Sequence, residues 1–361
     1  MNLSQKDVAL SNLERSNMQA VILAAGKSTR TYPLTLTKPK PLLKVANKTI
    51  LEYNLECIQD LVSEIIIVVG YKKDMIMNFI GGKFRGVKVI YVEQKEQLGT
   101  GHALSICSEY INEKFVLMMG DDIYSKEDIK NCSGYDYSIL VAKSYNPENF
   151  GAVIEKNGIL QKFIEKPKNF VSDIVSTACY SFEPGIFGFL KKIKKSGRGE
   201  FELPDAVILL SKNEKFYLVR STKWIPIVYP WDLLKADKEL RKNKNLAGEG
   251  SIVKGKVMNS SIGNNCKVYG NVANSIIMDN SFIREDSSIE DSVIGENVKF
   301  SGKIESSNNV FSDVNRRKIQ AKRIGAIVAD NVVAENVVLK PGVKIWPNKK
   351  ILNMTVTADI T

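Results

Sequence analysis

Short apolar runs alternate with amphipathic stretches through the first part of the chain. Runs of strand length lie at Ala20–Leu23, Ile65–Val69, Val87–Val92, Phe115–Met119 and Ser138–Ala142. Between them, around Ile50–Leu61, Lys73–Ile80 and His102–Tyr110, apolar residues return at helical spacing. Alternating strands and helices predict an α/β domain, with a mostly parallel sheet covered by helices on both faces. Ligands in such sheets bind beyond the carboxyl ends of the strands.

After a polar, charged link (Lys242 to Gly250) the pattern changes. Helical periodicity fades, and Asn, Gly and Ser multiply between single aliphatics. Apolar residues then recur at every sixth position: Ile277, Ile283, Ile289; Ile294 and Phe300; Ile327, Val333, Leu339, Ile345, Ile351. Segments such as Ile262-Gly263-Asn264-Asn265-Cys266-Lys267-Val268 fit a hexapeptide repeat, which predicts a parallel β-helix with each aliphatic pointing into a stacked core. Residues 302–320 interrupt the period and predict a protruding loop. The expected organisation is an N-terminal extension (1–17), an α/β domain (18–245) and a β-helix (250–354).

Composition narrows the function. The chain has 361 residues, 44% hydrophobic and 25% charged, as ordinary soluble proteins do. No apolar run approaches the ~20 residues of a membrane span, and the polar N-terminus lacks the apolar centre of a signal peptide. Five scattered cysteines without metal-type spacing point to free thiols in a reducing cytoplasm and to no zinc site. A net charge of +11 raises the question of nucleic acid, yet no basic block with interleaved aromatics accompanies it. Small polyanionic substrates account for part of the charge.

Three stretches carry candidate chemistry. The first runs from the strand ending at Leu23 through Ala24-Ala25-Gly26-Lys27-Ser28-Thr29 to Arg30 and Lys40. Small residues let backbone amides approach an anion, and the cations hold what the amides cradle. It is no P-loop, since position 21 is Val where that motif needs glycine; an ordinary turn with surface cations is the alternative. The second is Gln94-Lys95-Glu96-Gln97-Leu98-Gly99-Thr100-Gly101-His102, where two glycines let backbone lie flat against a base and the Gln94 amide can pair with its edge. A helix start capped by Thr100 is the alternative there. The third is Gly120-Asp121-Asp122, suited to Mg²⁺ held by one or two carboxylates plus phosphates, or else a plain turn.

Taken in order, these stretches resemble the signatures of sugar-1-phosphate nucleotidylyltransferases, including Leu-Ala-Ala-Gly-x-Gly-Thr-Arg followed by Pro-Lys-Pro. The resemblance spans about residues 18 to 350. It implies a Rossmann-like nucleotidyltransferase domain followed by a left-handed β-helix of hexapeptide repeats. It also implies transfer of a nucleotidyl group from an NTP to a sugar 1-phosphate of glucose or N-acetylglucosamine type, with release of pyrophosphate. Leu23, Ala25, Gly26, Lys27, Ser28, Thr29, Gln94, Gly99 and Thr100 would bind the nucleotide. The Gln94 loop is similar to that of N-acetylglucosamine-1-phosphate uridylyltransferases, which favours UTP over dTTP and leaves His102 a structural role. Arg30, Lys40 and Lys166 would act on the phosphates; Gly151, Glu165 and Ser176 would hold the sugar; Mg²⁺ would sit on Asp121.

The departures from the family pattern are specific. Ser28 stands where glycine is usual, and Ser176 where relatives carry Asn. Pro226 takes the place of a metal-binding Asp, so that Asp232 becomes the substitute ligand or else a helix-terminal cap. β-Helices of this kind assemble homo-oligomers, commonly trimers. Two rival readings follow from the same resemblance. One is a non-catalytic regulatory subunit, and the other adds sugar-amine acetyltransfer on the β-helix, which in relatives uses a histidine. The single histidine here is His102.

Overall fold

The computed structural model describes residues 17–361. The expected extension 1–17 lies, but for its last residue, outside the described residues. Contacts divide the chain into two compact units. One contains the residues up to Gly26 together with Tyr53–Trp224; the other contains Lys27–Glu52 together with Ile225–Thr361. A break drawn along the chain near 245–250 therefore differs from the spatial grouping, because the arm 27–52 belongs to the β-helix unit.

The first unit is built on a ten-stranded sheet. Its strands are β1 Gln19–Leu23, β2 Glu64–Val69, β3 Lys83–Phe84, β4 Val87–Glu93, β5 Phe115–Met119, β6 Ser138–Lys143, β7 Gly151–Lys156, β8 Ile159–Glu165, β9 Ile174–Phe182 and β10 Tyr217–Arg220. Their order is β7-β8-β10-β6-β9-β5-β1-β2-β4-β3. The block β5-β1-β2-β4 is parallel, whereas β9 runs antiparallel to both β5 and β6. All five residues of β1 are buried, the condition that an uninterrupted apolar run satisfies in a strand covered on both faces.

The helices follow the amphipathic stretches. Lys73–Ile80 ends at Gly81, whose φ of 73° and N–H to the Met77 carbonyl at 2.8 Å close the last turn. The helix expected over His102–Tyr110 occupies Thr100–Ser105 instead. Beyond it the chain winds on as three-residue turns, with Cys107 N–H to Leu104 O at 2.9 Å and Tyr110 N–H to Cys107 O at 3.0 Å. Periodicity alone does not distinguish such turns from α-helix, because both keep the same face inward.

In the second unit, stacked parallel rungs form a β-helix. One column of paired residues is Ile262, Ile277, Ile294, Val328 and Ile345. A second is Val268, Ile283, Phe300, Ala334 and Ile351. A third is Val272, Ile289, Ile304, Leu339 and Val356. All of these side chains belong to one buried core. Two positions of the strict sixfold pattern are thereby corrected: Val328 and Ala334 point inward, not Ile327 and Val333. The step between faces is not constant, so a fixed period slips by one after the insertion.

The polar residues of this segment make the corners. Asn265, Asn280, Asn297, Asn331 and Asn348 all have positive φ, between 54° and 62°, a region in which a short amide is tolerated where most side chains are not. Their amides stack from coil to coil, Asn297 to Asn331 at 3.2 Å and Asn331 to Asn348 at 3.1 Å. A serine column does similar work: Ser260, Ser275 and Ser292 each accept the N–H of the residue one coil on, at 3.0 Å. The insertion is a β-hairpin, Ser307–Val314 with Arg317–Ile324, rather than a loop over 302–320. Lys299–Ile304 still belongs to the coils. Asn315 and Arg316, with φ of 50° and 64°, form the two-residue turn at the hairpin tip.

Candidate functional site

Three parallel strands of the first unit end at one place. After β1, Ala24 N–H bonds to Val68 O at 2.8 Å, and Ala25 O accepts from Tyr71 N at 3.0 Å and from Gln97 Nε2 at 2.9 Å. Gly70, just past β2, lies so close to its neighbours that a Cβ would stand 2.9 Å from Ala25 O and 3.1 Å from Gln94 O. Gln94 follows β4 with its N–H on Val69 O at 2.8 Å. The sequence-expected residues Leu23, Ala25, Gly26 and Gln94 are thus gathered at the carboxyl edge of the sheet, the usual ligand edge of such folds.

The Gln94 loop is held from behind. Gly99 has φ 99°, and a Cβ there would meet Phe201 O at 2.6 Å. Phe201 N–H in turn bonds to Leu98 O at 2.7 Å, and Phe201 O accepts from Gly101 N at 2.8 Å. The Thr100 hydroxyl does not cap its own helix; it accepts from Leu203 N at 3.2 Å and so ties the loop to helix Leu203–Leu210.

Beside β1, the turn after β5 presents Gly120-Asp121-Asp122. Gly120 N–H bonds to Leu23 O at 2.9 Å, and a Cβ on Gly120 would come within 3.2 Å of Ala24 Cβ. Glycine here lets the two strand ends close on each other and leaves Asp121 half-exposed at the edge. Asp122 Oδ2 accepts from Trp224 Nε1 at 3.1 Å, which gives this second carboxylate a structural task. Asn54 Nδ2 donates to Asp122 O at 2.8 Å and to Met119 O at 3.3 Å. Its buried Oδ1 has no partner among the described residues.

Farther along the sheet, Gly151 of β7 pairs with Glu165 of β8. A side chain at 151 would collide with the Phe163 ring and with Glu165 Oε2. Burial pushes the Glu165 carboxyl up, against the pull of Lys166 and Arg198, whose cations stand 3.5 and 3.8 Å from Oε1. Arg198 also reaches Glu202 Oε1 at 2.7 Å and Glu200 Oε2 at 4.0 Å, so three carboxylates share one guanidinium. Ser176 Oγ turns onto its own strand, accepting from Ala178 N at 2.9 Å and lying 3.5 Å from the Tyr180 hydroxyl.

The remaining candidates belong to the second unit. Ser28, where glycine is usual, adopts the left-handed region with φ 50° and ψ 51°. Its carbonyl gathers Thr31 Oγ1 at 2.7 Å and Thr35 Oγ1 at 3.0 Å, bonds that compensate for a conformation costing roughly 1–2 kcal/mol. Lys27, Thr29 and Arg30 follow on the exposed outside of this turn. The Asn315 amide at the hairpin tip donates to Thr29 Oγ1 at 3.1 Å. Lys38 points into the β-helix, between Glu296 and Asp330, while Lys40 is buried and acts electrostatically on Asp232. Asp232 Oδ2 accepts from Val228 N at 2.8 Å and Tyr229 N at 2.7 Å. Burial pushes its carboxyl up, with those N–H groups and Lys40 opposing.

Carboxylate oxygens are the donors that a hard divalent cation takes, and the described residues hold no cluster of three or more ligating side chains. Asp121 in the first unit is half-exposed, and Asp232 in the second has its Oδ2 engaged by two backbone N–H groups. Sequence reasoning missed Trp224 and Asn54, whose tasks come from residues distant in the chain, and Arg198, whose pairing with Glu202 four residues on was a usable signal. It also gave His102 no contact with Gln94, although the eight-residue separation on a strand-turn-helix was a usable signal.

Residues 19–243 match the model of a family described as nucleotidyl transferase. The chain is 32% identical to the bifunctional protein GlmU of Methanocaldococcus jannaschii, over 92% of each chain. It is 34% identical to the UTP–glucose-1-phosphate uridylyltransferase AglF of Haloferax volcanii, over 64% of this chain and all of that one. Among solved structures, a putative glucose-1-phosphate thymidylyltransferase from Bacillus anthracis shares 26% identity with a TM-score of 0.57, over 63% of this chain and 96% of that one. A UDP-glucose pyrophosphorylase bound to UDP-glucose, at 21% identity and TM-score 0.57, shares the fold.

Proposed function

The chain belongs to the nucleotidyl transferase family, and we propose that it transfers a uridylyl group from UTP to a sugar 1-phosphate of glucose or N-acetylglucosamine type. The observation that carries this reading is the edge where Ala25, Gly26, Gln94, Gly99 and Asp121 stand at the ends of neighbouring parallel strands. Backbone with small side chains, a base-reading amide and a carboxylate are the three groups an NTP requires.

The sugar phosphate is already anionic at neutral pH, so the reaction needs no general base. One of its oxygens bonds to the α-phosphorus as the bond from that phosphorus to the β-phosphate bridge oxygen breaks, and pyrophosphate leaves. Positioning and charge stabilisation then supply the rate. In this reading Arg30 and Lys40 hold the NTP phosphates and the departing pyrophosphate. Lys166 steers the incoming phosphate. Gly151, Glu165 and Ser176 bind the sugar, with Arg198 keeping Glu165 in place. Asp121, with Asp232 as second candidate, would hold Mg²⁺, which would neutralise charge at the α-phosphate. The β-helix would assemble a homo-oligomer, trimer or multiple. The exposed Ile252, Met258, Leu352 and Met354 support that view, and sedimentation of the intact protein as a monomer would remove it. Five free cysteines suit a reducing cytoplasm.

Pyrophosphate release with Mg²⁺, across NTPs and sugar 1-phosphates, tests the reading. The expected result is release with UTP and one or both of these sugars. A folded protein that releases none with any pair overturns it in favour of the regulatory reading. Similarity to a bifunctional relative over 92% of the chain favours one second reading, acetyl transfer to a sugar amine on the β-helix. Thiol release from acetyl-CoA with glucosamine 1-phosphate tests it, and the base would have to be a group other than histidine, whose one copy is residue 102.

A further inference from the structure

The side chain of Gln94 is 6% exposed, and its nitrogen is fully engaged. Nε2 stands 3.1 Å from Gly99 O and 3.1 Å from His102 Nδ1. An amide nitrogen only donates, so the imidazole must accept at Nδ1 and carry its proton on Nε2. Both amide hydrogens are then spent. Among the described residues nothing bonds to Oε1, which becomes the one hydrogen-bonding atom of Gln94 left open.

A free glutamine amide reads either kind of edge, because rotation by half a turn exchanges its oxygen and nitrogen. Here a flip would set Oε1 against Gly99 O, two acceptors with no proton between them, whichever tautomer His102 adopts. Unsatisfied buried polar groups of this kind are costly. Gly99 O and the imidazole acceptor thus decide together which atom the glutamine presents. His102 is itself placed by helix Thr100–Ser105, and it lines a cavity of about 220 Å³ with Gly101, Phe187 and Phe201.

We propose that His102 is a positioning residue for base selection. By accepting the second amide hydrogen of Gln94, beside Gly99 O, it holds Oε1 outward, so that the site takes a base with a proton on ring N3. Uracil and thymine, with N3–H, qualify; cytosine presents a lone pair at N3 and is refused. The inference rests on the reading of the Gln94 loop as the base site, and adds the residue that makes the amide selective.

Calorimetric binding of UTP and CTP to the whole protein in Mg²⁺ tests this apart from turnover. The wild type is expected to prefer UTP. In His102→Leu, which cannot accept, UTP affinity should fall about tenfold and the UTP:CTP ratio should fall by a similar factor. His102→Gln, which restores an acceptor, should regain most of the ratio; it also serves if the leucine variant fails to fold. A folded His102→Leu protein with the wild-type ratio overturns the proposal, as does a His102→Gln protein no better than a folded leucine variant. Gln94→Leu separates the two levels. If that variant keeps the wild-type ratio, the base site itself has been misplaced; if it loses the ratio while His102→Leu keeps it, only the role of His102 fails.

Discussion

Asp121→Asn is expected to lower the rate of pyrophosphate release by on the order of 10²–10³-fold, the scale seen when one charge-stabilising group is removed from a transition state. Asparagine keeps the shape of the side chain and removes its charge, so packing at the strand end should survive. Gly120 N–H would still bond to Leu23 O, and Asp122 would still hold Trp224 Nε1. The loss should therefore appear in the turnover of a folded protein. Because a carboxylate is the harder ligand, the Mg²⁺ concentration for half-maximal rate should also rise, by about tenfold or more. A variant that kept near-wild-type turnover and the same Mg²⁺ dependence would remove Asp121 from the metal site and leave Asp232 as the remaining candidate.

The largest expected effect on stability lies elsewhere, at Arg241. Its side chain and that of Asp237 are 2% and 3% exposed, with Nε on Oδ2 at 2.7 Å. The guanidinium also serves Lys244 O at 3.0 Å and Asn259 O. Asp237 Oδ1 receives Ala46 N at 2.9 Å. One ion pair thus joins helix Asp232–Leu240, the arm carrying Lys40, and the first turns of the β-helix. Arg241→Ala would strand a buried carboxylate and two carbonyls, a change that typically costs about 3–5 kcal/mol. At roughly 2–4 °C per kcal/mol for a unit of this size, the midpoint of its thermal transition should fall by about 10 °C. Replacing both partners with apolar residues, Asp237→Leu with Arg241→Met, should recover part of the loss, since no charge is then left unpaired although Ala46 N–H and the two carbonyls are. An Arg241→Ala midpoint equal to wild type would show that the pair contributes nothing net.

Several features were legible because they depend on local pattern. The apolar runs at Ala20–Leu23, Ile65–Val69 and Phe115–Met119 become buried parallel strands, as uninterrupted hydrophobic segments must. The sixfold aliphatic repeat became a β-helix, and its many asparagines became left-handed corners. The slip at Ile327 and Val333 came from treating the step as always six, whereas Ala334 to Leu339 is five. Ser176 was legible as a departure but not in its consequence, which is an oxygen turned onto the Ala178 N–H.

By itself, then, the sequence determined the two architectures and the order of the motifs, and it proposed the residues for nucleotide, sugar and metal, because each of these is written in spacing and side-chain chemistry along a short stretch. Only the tertiary structure decided which partners those residues keep. It sent Lys38 to Glu296 and Asp330, set Asp122 on Trp224, seated the Lys40 arm on the β-helix, and turned Gln94 by means of His102. The physical reason is common to all four. A buried polar group must find a partner wherever the fold puts one, and in the first three cases that partner is distant along the chain and leaves no trace in local spacing.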